Sequence, residues 1–240
     1  MTHRHCVVLA GGLGTRVESI TRGLIPKCLI PIDGRAFLDY KLETLRSQGF
    51  TDIFILIGQL GNLVSQHLAR TARSDMRVSA HSDGPVLRGT GGSILSLLPT
   101  LPQRFWVTYA DSLTFVEPHR VEEFSDQFGN LSVMTTYRNR DAIEPSNVSV
   151  ASHRVTRYDK SKLPGKYEWI DYGMLLLTRD AFEPFVGRTT MDLHEVLVRL
   201  VESSQLLAYE APHRYWDIGT PEAIAETIRF VKSVKWGHPE

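Results

Sequence analysis

An apolar run, Cys6–Ala10, passes directly into the loop Gly11-Gly12-Leu13-Gly14-Thr15-Arg16, and no other stretch narrows the folding options as much. The run lacks polar alternation, as a strand buried on both faces does, and such strands belong to sheets covered by helices on either side. Three glycines let the backbone turn tightly and bring its N–H groups against a ligand, forming a concavity suited to an anion. Arg16 adds a fixed cation with several donors for phosphate oxygens. The spacing is neither G-x-G-x-x-G nor a Walker loop ending in Gly-Lys-Ser/Thr, so neither of those phosphate motifs applies.

The rest of the chain repeats the strand-and-helix rhythm. Buried strands are expected at Ile53–Ile57, Arg77–His81 and Phe105–Ala110, with helices over Ala36–Ser47, Leu60–Arg70 and Thr90–Leu98. Phe37, Leu38, Leu42 and Leu45 form the apolar stripe of the first of these helices, and Gly49 stops it. After a helix over His119–Phe128 and a strand over Leu131–Tyr137, the strands shorten to Val148–Val150 and Val155–Tyr158. A polar turn, Lys160–Lys166, leads to a strand over Met174–Thr178, a helix over Leu193–Glu202 and short strands over Leu206–Tyr209 and Tyr215–Ile218. An amphipathic helix, Thr220–Lys235, closes the chain with Thr220 as N-cap and Pro221 at its first position.

This alternation predicts an α/β fold, a Rossmann-like three-layer α/β/α sandwich with a mixed, mostly parallel central sheet. One domain over 1–240 is expected: about 1–138 as a nucleotide-binding half, about 139–219 as a more antiparallel sugar-phosphate lobe, and 220–240 as the closing helix.

Composition excludes several classes. Lys plus Arg equals Asp plus Glu at 27 each, so no positive field favours nucleic acid or an anionic membrane. No stretch reaches the roughly 20 apolar residues of a membrane span, and Cys6–Ala10 is too short for a signal h-region. A cytoplasmic protein with Cys6 and Cys28 as reduced core residues is expected. The nine histidines include no metal-spaced cluster.

A second segment, Ile25-Pro26-Lys27-Cys28-Leu29-Ile30-Pro31-Ile32, holds a lysine beside proline, and its ammonium is a point charge suited to phosphate. Together, Gly-Gly-Leu-Gly-Thr-Arg followed by Pro-Lys and Leu-Ile-Pro-Ile resemble the signature of the nucleotidyl transferase family of NDP-sugar pyrophosphorylases. Four further segments match in order: Gly89-Thr90-Gly91-Gly92, Tyr109-Ala110-Asp111, Tyr158-Asp159-Lys160, and Trp216-Asp217-Ile218-Gly219-Thr220-Pro221. The interval from Arg16 to Lys27 is one residue longer than the family's usual spacing, so its loop must bulge.

The resemblance implies transfer of NMP from an NTP to a sugar 1-phosphate, with release of pyrophosphate. It places Leu9, Gly11, Gly12, Gly14, Thr15, Arg16, Gly89 and Thr90 at the nucleotide, with Gly89 at the base. Arg16 and Lys27 are the implied catalytic cations, and Asp111 and Asp217 the ligands of a Mg²⁺ cofactor. Lys160, Asp171 and Gly173 fall at the sugar phosphate, with Lys162 and Lys166 as neighbouring alternatives to Lys160. The expected partners are the two substrates, without nucleic acid or membrane, and a homodimer is left open. Gly-Thr-Gly-Gly and Ile170-Asp171-Tyr172-Gly173 resemble guanylyltransferases for manno-configured sugars, including heptose 1-phosphate, while pyrimidine NTPs stay compatible. At 240 residues a stand-alone enzyme is expected. Two rivals are a catalytically idle regulatory paralogue and a glycosyltransferase. The latter would carry Asp-x-Asp where this chain has Asp111-Ser112-Leu113.

Overall fold

The apolar run predicted to open the fold is strand β1 (His5–Ala10), and it takes an interior position in the main sheet. The computed structural model describes residues 3–12, 15–71, 75–84, 87–160 and 163–234. Gly14, Lys162 and Lys235 lie outside those residues, as does the side chain of Thr15. After β1 come a short helix α1 (Glu18–Thr21), a small hairpin of β2 (Pro31–Ile32) and β3 (Arg35–Ala36), and helix α2 (Phe37–Ser47). The chain continues through β4 (Asp52–Ile57), α3 (Gly61–Arg70), β5 (Arg77–Ser82), α4 (Gly89–Leu97), β6 (Arg104–Tyr109) and β7 (Ser112–Leu113). The remaining elements are α5 (Pro118–Gln127), β8 (Ser132–Arg138), β9 (Val148–Ala151), β10 (Arg154–Tyr158), β11 (Trp169–Thr178), α6 (Leu193–Glu202), β12 (Leu206–Glu210), β13 (Trp216–Asp217) and α7 (Pro221–Ser233).

Nine strands form one sheet in the order β5-β4-β1-β6-β11-β8-β12-β10-β9. The pairs β5–β4, β4–β1, β1–β6 and β8–β12 are parallel, with Val7 of β1 opposite both Phe54 and Val107. The pairs β6–β11, β11–β8, β12–β10 and β10–β9 are antiparallel. With the further antiparallel contact of β11 with β9, the sheet is mixed, as expected, but the expectation of a mostly parallel one is corrected: four of its pairings are parallel and five antiparallel. Apolar runs report that a strand is buried on both faces; they carry no information on its direction.

Successive side chains of a strand point to opposite faces, and β1 divides its own accordingly. Cys6 and Val8 join a core with Leu38, Leu42 and Leu45 of α2, Val64 of α3 and Val121 of α5. Val7 and Leu9 join another with Ile94 and Leu97 of α4 and Val196 and Leu200 of α6. Helices therefore cover both faces of this Rossmann-like α/β fold. None of the described helices is long and apolar enough to cross a membrane.

A third apolar cluster positions the site. Ile30, Ile32, Phe37 and Tyr40 pack with Leu113, Ile218, Ile224 and Val231, so α7 closes over β2, β7 and the residue after β13. Each such buried aliphatic side chain contributes about 1.5–3 kcal/mol. Helix α7 starts where the sequence predicts: the Thr220 hydroxyl accepts from the Ala223 N–H at 3.2 Å, with Pro221 next.

Two segments differ from expectation. Strand β11 begins at Trp169 rather than Met174, because a register shift between Asp171 and Leu175 interrupts the run without ending the strand. The ribbon of β7 and β13 is two residues on each side, too short to show a period.

Candidate active site

The carboxyl ends of β1, β4 and β6 lie side by side, since these three strands are parallel neighbours. Gly11 follows β1 and Gly58 follows β4, and their backbones meet. A Cβ added to Gly58 would stand 2.9 Å from the Gly11 carbonyl oxygen. After β6, Ala110 donates its N–H to the Leu9 carbonyl at 3.0 Å, and the next residue is Asp111. Asp217 reaches the same place from far along the chain. β13 pairs antiparallel with β7, Asp217 opposite Ser112, and the Ile218 N–H donates to the Asp111 carbonyl at 3.0 Å. The two aspartates expected to hold a metal are thus neighbours on one ribbon.

Asp217 is held closely. Its Oδ1 accepts the Gly219 N–H at 2.6 Å, and its carbonyl accepts from the Thr227 hydroxyl at 2.7 Å. Burial raises its carboxyl above the ordinary range against the Gly219 N–H, and nearby Asp111 and Glu144 raise it further. A Cβ on Gly219 would lie 2.7 Å from that Oδ1 and 3.7 Å from the Lys27 ammonium, so residue 219 has no room for a side chain.

Lys27 begins a 3₁₀ turn, Lys27–Leu29, directly after Pro26. Its largely buried ammonium donates to Asp111 Oδ2 at 2.6 Å. These groups line a cavity of about 580 Å³ that also contains Arg16 and Thr90.

The same cavity is lined by the expected sugar-phosphate residues, and the Gly173 bend of β11 adjoins Tyr109 and Ser112. Lys160 lines the cavity and ion-pairs with Asp192 at 2.7 Å. Asp192 is the N-cap of α6, with a capping box to Glu195. Burial raises its carboxyl, yet the Lys160 and His194 N–H hydrogen bonds leave it below the ordinary range. Asp171 Oδ2 accepts from the Tyr158 hydroxyl at 3.1 Å and Oδ1 from the Gly173 N–H at 2.9 Å. Gly173 adopts φ +84°, a conformation open to glycine, and both residues line the cavity. Lys166 is not a lining residue; it pairs with Asp159 at 3.0 Å, while Lys162 lies outside the described residues.

Arg16, Lys27, Thr90, Asp111, Lys160, Asp171, Gly173 and Asp217 are therefore brought together around one cavity. Leu9, Gly11, Gly12 and Gly89 do not line it. Leu9 is a core residue, and Gly11 and Gly12 are exposed beside the carboxyl edge of the sheet. Gly89 was expected at a base, but its neighbour is protein. With φ +70°, a Cβ there would stand 2.5 Å from the Met191 carbonyl oxygen. That carbonyl accepts the N–H groups of Gly91 and Gly92 at 3.0 and 3.1 Å, and the Thr90 hydroxyl accepts the Leu193 N–H at 2.9 Å. The glycine-rich start of α4 packs on the start of α6.

Sequence reasoning missed Tyr109, Asn147, Tyr158 and Asp192 at the cavity and Lys41 beneath it. Lys41 had a legible signal. It lies four residues from both Phe37 and Leu45, in the middle of the apolar stripe of α2. Burial raises the phenols of Tyr109 and Tyr158 well above their ordinary range, with Asp171 raising both further.

The donor set fits a hard divalent cation. Among the carboxylates lining the cavity, Asp111 and Asp217 adjoin, and Asp217 is held above the usual range by burial, Asp111 and Glu144, a state that a cation would relieve. No group of three or more His, Cys, Asp or Glu able to hold a metal occurs among the described residues. A cation here would complete its shell from substrate phosphate and water, as Mg²⁺ does.

The family model for the MobA-like NTP transferase domain matches residues 6–171. The chain is 23% identical over 216 residues to the D-glycero-alpha-D-manno-heptose 1-phosphate guanylyltransferase of Campylobacter jejuni, covering 90% of this chain and 95% of that one. Its fold is similar to that of HddC from Yersinia pseudotuberculosis, with a TM-score of 0.81 at 20% identity, 95% of this chain and 99% of the other being covered. A further structure of HddC, described as complexed with GMP-PN, matches equally well. The inositol-1-phosphate CTP transferase of T. maritima matches with a TM-score of 0.80 at 19% identity over 100% of this chain and 99% of that one.

Proposed function

The chain belongs to the MobA-like NTP transferase domain family, and on that premise we propose that it converts an NTP and a sugar 1-phosphate into an NDP-sugar and pyrophosphate. The observation that carries this reading is that Lys27, Asp111 and Asp217 line one cavity together with Lys160 and Asp171. Its volume, about 580 Å³, lies within the range of clefts that enclose small ligands.

The chemistry needs little from the protein beyond placement and charge. A phosphate oxygen of the sugar phosphate attacks the α-phosphorus, a new P–O bond forms, and the bond to the bridging oxygen of the β-phosphate breaks. Pyrophosphate leaves with that electron pair. The nucleophile is already anionic, so no general base is required. Arg16 and the glycine loop bind the triphosphate, and Lys160 binds the sugar phosphate. Lys27 places its charge near the reacting phosphates, where it counters charge that moves during transfer. Asp171, an acceptor oriented by Tyr158 and the Gly173 N–H, suits a sugar hydroxyl. Asp111 and Asp217 would hold Mg²⁺, whose bound form neutralises triphosphate charge.

GTP with a manno-configured hexose or heptose 1-phosphate is the substrate pair this reading favours, supported by the likeness to the Campylobacter jejuni heptose 1-phosphate guanylyltransferase and to the GMP-PN complex of HddC. The T. maritima CTP transferase supports a pyrimidine NTP as the second reading. Incubation of the protein with GTP or CTP and either mannose 1-phosphate or D-glycero-D-manno-heptose 1-phosphate tests the choice by mass spectrometry. GDP-sugar formation supports the first reading, and CDP-sugar alone removes it. An idle regulatory paralogue has no use for the costly arrangement of Asp217 beside Asp111.

A further inference from the structure

Lys41 is 0% exposed, and its ammonium is surrounded by oxygen atoms of the segments that build the cavity. Nζ donates to the Thr108 hydroxyl at 2.8 Å, the Ser112 carbonyl at 2.9 Å and the Thr114 hydroxyl at 3.4 Å. Thr108, itself fully buried, donates onward to the Gly173 carbonyl at 2.8 Å. One side chain of α2 thereby grips the residue after Asp111 directly and the glycine bend of β11 through a single hydroxyl. Ser112 is not held by its own hydroxyl, which is buried without a hydrogen-bond partner.

None of these three acceptors is a carboxylate, and an ammonium taken out of water without one is expensive for the fold. Packing alone would be met by an apolar residue like Leu38 and Leu42 on either side. Asp111 is the carboxylate whose charge Lys41 feels, with the Ser112 carbonyl in contact. Asp111 is thus flanked by two lysines, Lys27 in contact on the cavity side and Lys41 on the core side.

We propose that Lys41 is a positioning residue for nucleotidyl transfer: through the Ser112 carbonyl and the Thr108–Gly173 link it sets the spacing between Asp111 and the Asp171–Gly173 bend. This rests on the transferase reading above. Misplacing one reactant against the other affects the transfer step and sugar-phosphate use, whereas nucleotide capture by Arg16 and the glycine loop stays intact.

The test compares wild type, Lys41→Met, Thr108→Val and Thr108→Ser with the most active NTP and sugar 1-phosphate pair, measuring kcat, both KM values and the thermal midpoint. Methionine fills most of the lysine volume without the charge. Lys41→Met and Thr108→Val should each lower kcat about ten- to a hundred-fold and raise the sugar-phosphate KM. The nucleotide KM should stay within about twofold of wild type. Lys41→Met should melt no lower than wild type, Thr108→Ser should restore kcat, and the double variant should lose little beyond Lys41→Met alone. Wild-type kinetics in Lys41→Met, or equal rises in both KM values, would show a core staple only. A Lys41→Met chain that does not fold, together with a fully active Thr108→Val, overturns the assignment as well. An active wild type with unaffected variants removes this assignment alone, whereas an inactive wild type removes the transferase reading and the assignment with it.

Discussion

The Lys27 ammonium donates to Asp111 Oδ2 at 2.6 Å, bridging the 3₁₀ turn before β2 and the carboxyl end of β6. A cation so placed is prepaid, its orientation set before any phosphate arrives. Lys27→Ala should therefore lower kcat about 10²–10³-fold, on the order of 3–4 kcal/mol, the scale for one lost charge-stabilising donor. The nucleotide KM should change much less. Lys27→Arg should rescue poorly, because a planar fork does not replace a compact ammonium. Steady-state kinetics decide: an unchanged kcat with a raised KM would make Lys27 a binding residue.

Turnover should require Mg²⁺ or Mn²⁺ and cease in EDTA, since Asp111 and Asp217 otherwise leave the triphosphate charge unneutralised. Asp217 also predicts a trade-off. Its folded-state pKa is raised, chiefly by burial, so the folded state holds its proton to higher pH than the unfolded chain. Stability from this group then falls as pH rises from the ordinary carboxylate range through the raised value. Asp217→Asn should be inactive yet melt higher than the metal-free wild type at pH 7, with the difference shrinking in acid. A lower midpoint at pH 7 would contradict this.

Lys160→Ala should weaken sugar-phosphate use far more than NTP use. Lys166→Ala should be near neutral, since Lys166 pairs with Asp159 away from the cavity lining. From the sequence, Lys162→Ala is expected to be neutral too. Separate KM values for the two substrates make the comparison, and an equal loss at Lys162 or Lys166 would move the phosphate grip.

Lys41 predicts a pH dependence of stability. Burial lowers its pKa from 10.5 to about 8, against the raising influence of Cys6 and Asp111. Between those values the unfolded chain binds the proton that the folded one has lost, so this group's contribution to stability rises with pH from about 8 to 10.5. The gap corresponds to about 3 kcal/mol of penalty at neutral pH. Lys41→Met should melt above wild type at pH 7, and the advantage should fade towards pH 10.5. Burial raises the Cys6 and Cys28 thiols to about 12, which opposes the trend in both proteins and cancels in the difference. A constant difference across that range would contradict the assignment.

Much of this site was legible because its residues stand at the ends of apolar strands. Asp111 follows Phe105–Ala110, and Lys27 is framed by Pro26 and an apolar run. The family's motifs name both Asp111 and Asp217, but not the ribbon that joins them: β7–β13 is a long-range pairing that no local period announces. The family's nucleobase motif places Gly89 at a base, and the space a Cβ would take there is filled by the Met191 backbone. The second half reads as more antiparallel, and β11 runs antiparallel to both β6 and β8, but the parallel β8–β12 pair has no local signal. The place of Lys41 in the apolar stripe of α2 signals burial, but its partners Thr108, Ser112 and Thr114 are long-range and have no local signal.

The most direct measurement is a matrix of GTP, ATP, CTP, UTP and dTTP against a panel of sugar 1-phosphates, with pyrophosphate release and NDP-sugar formation recorded together, for wild type and for Asp217→Asn. The account predicts pyrophosphate in equal amount to NDP-sugar for at least one pair, strictly dependent on both substrates and absent in Asp217→Asn. Binding of nucleotide sugars without pyrophosphate release from any pair would contradict it, and would make the chain a regulatory binder.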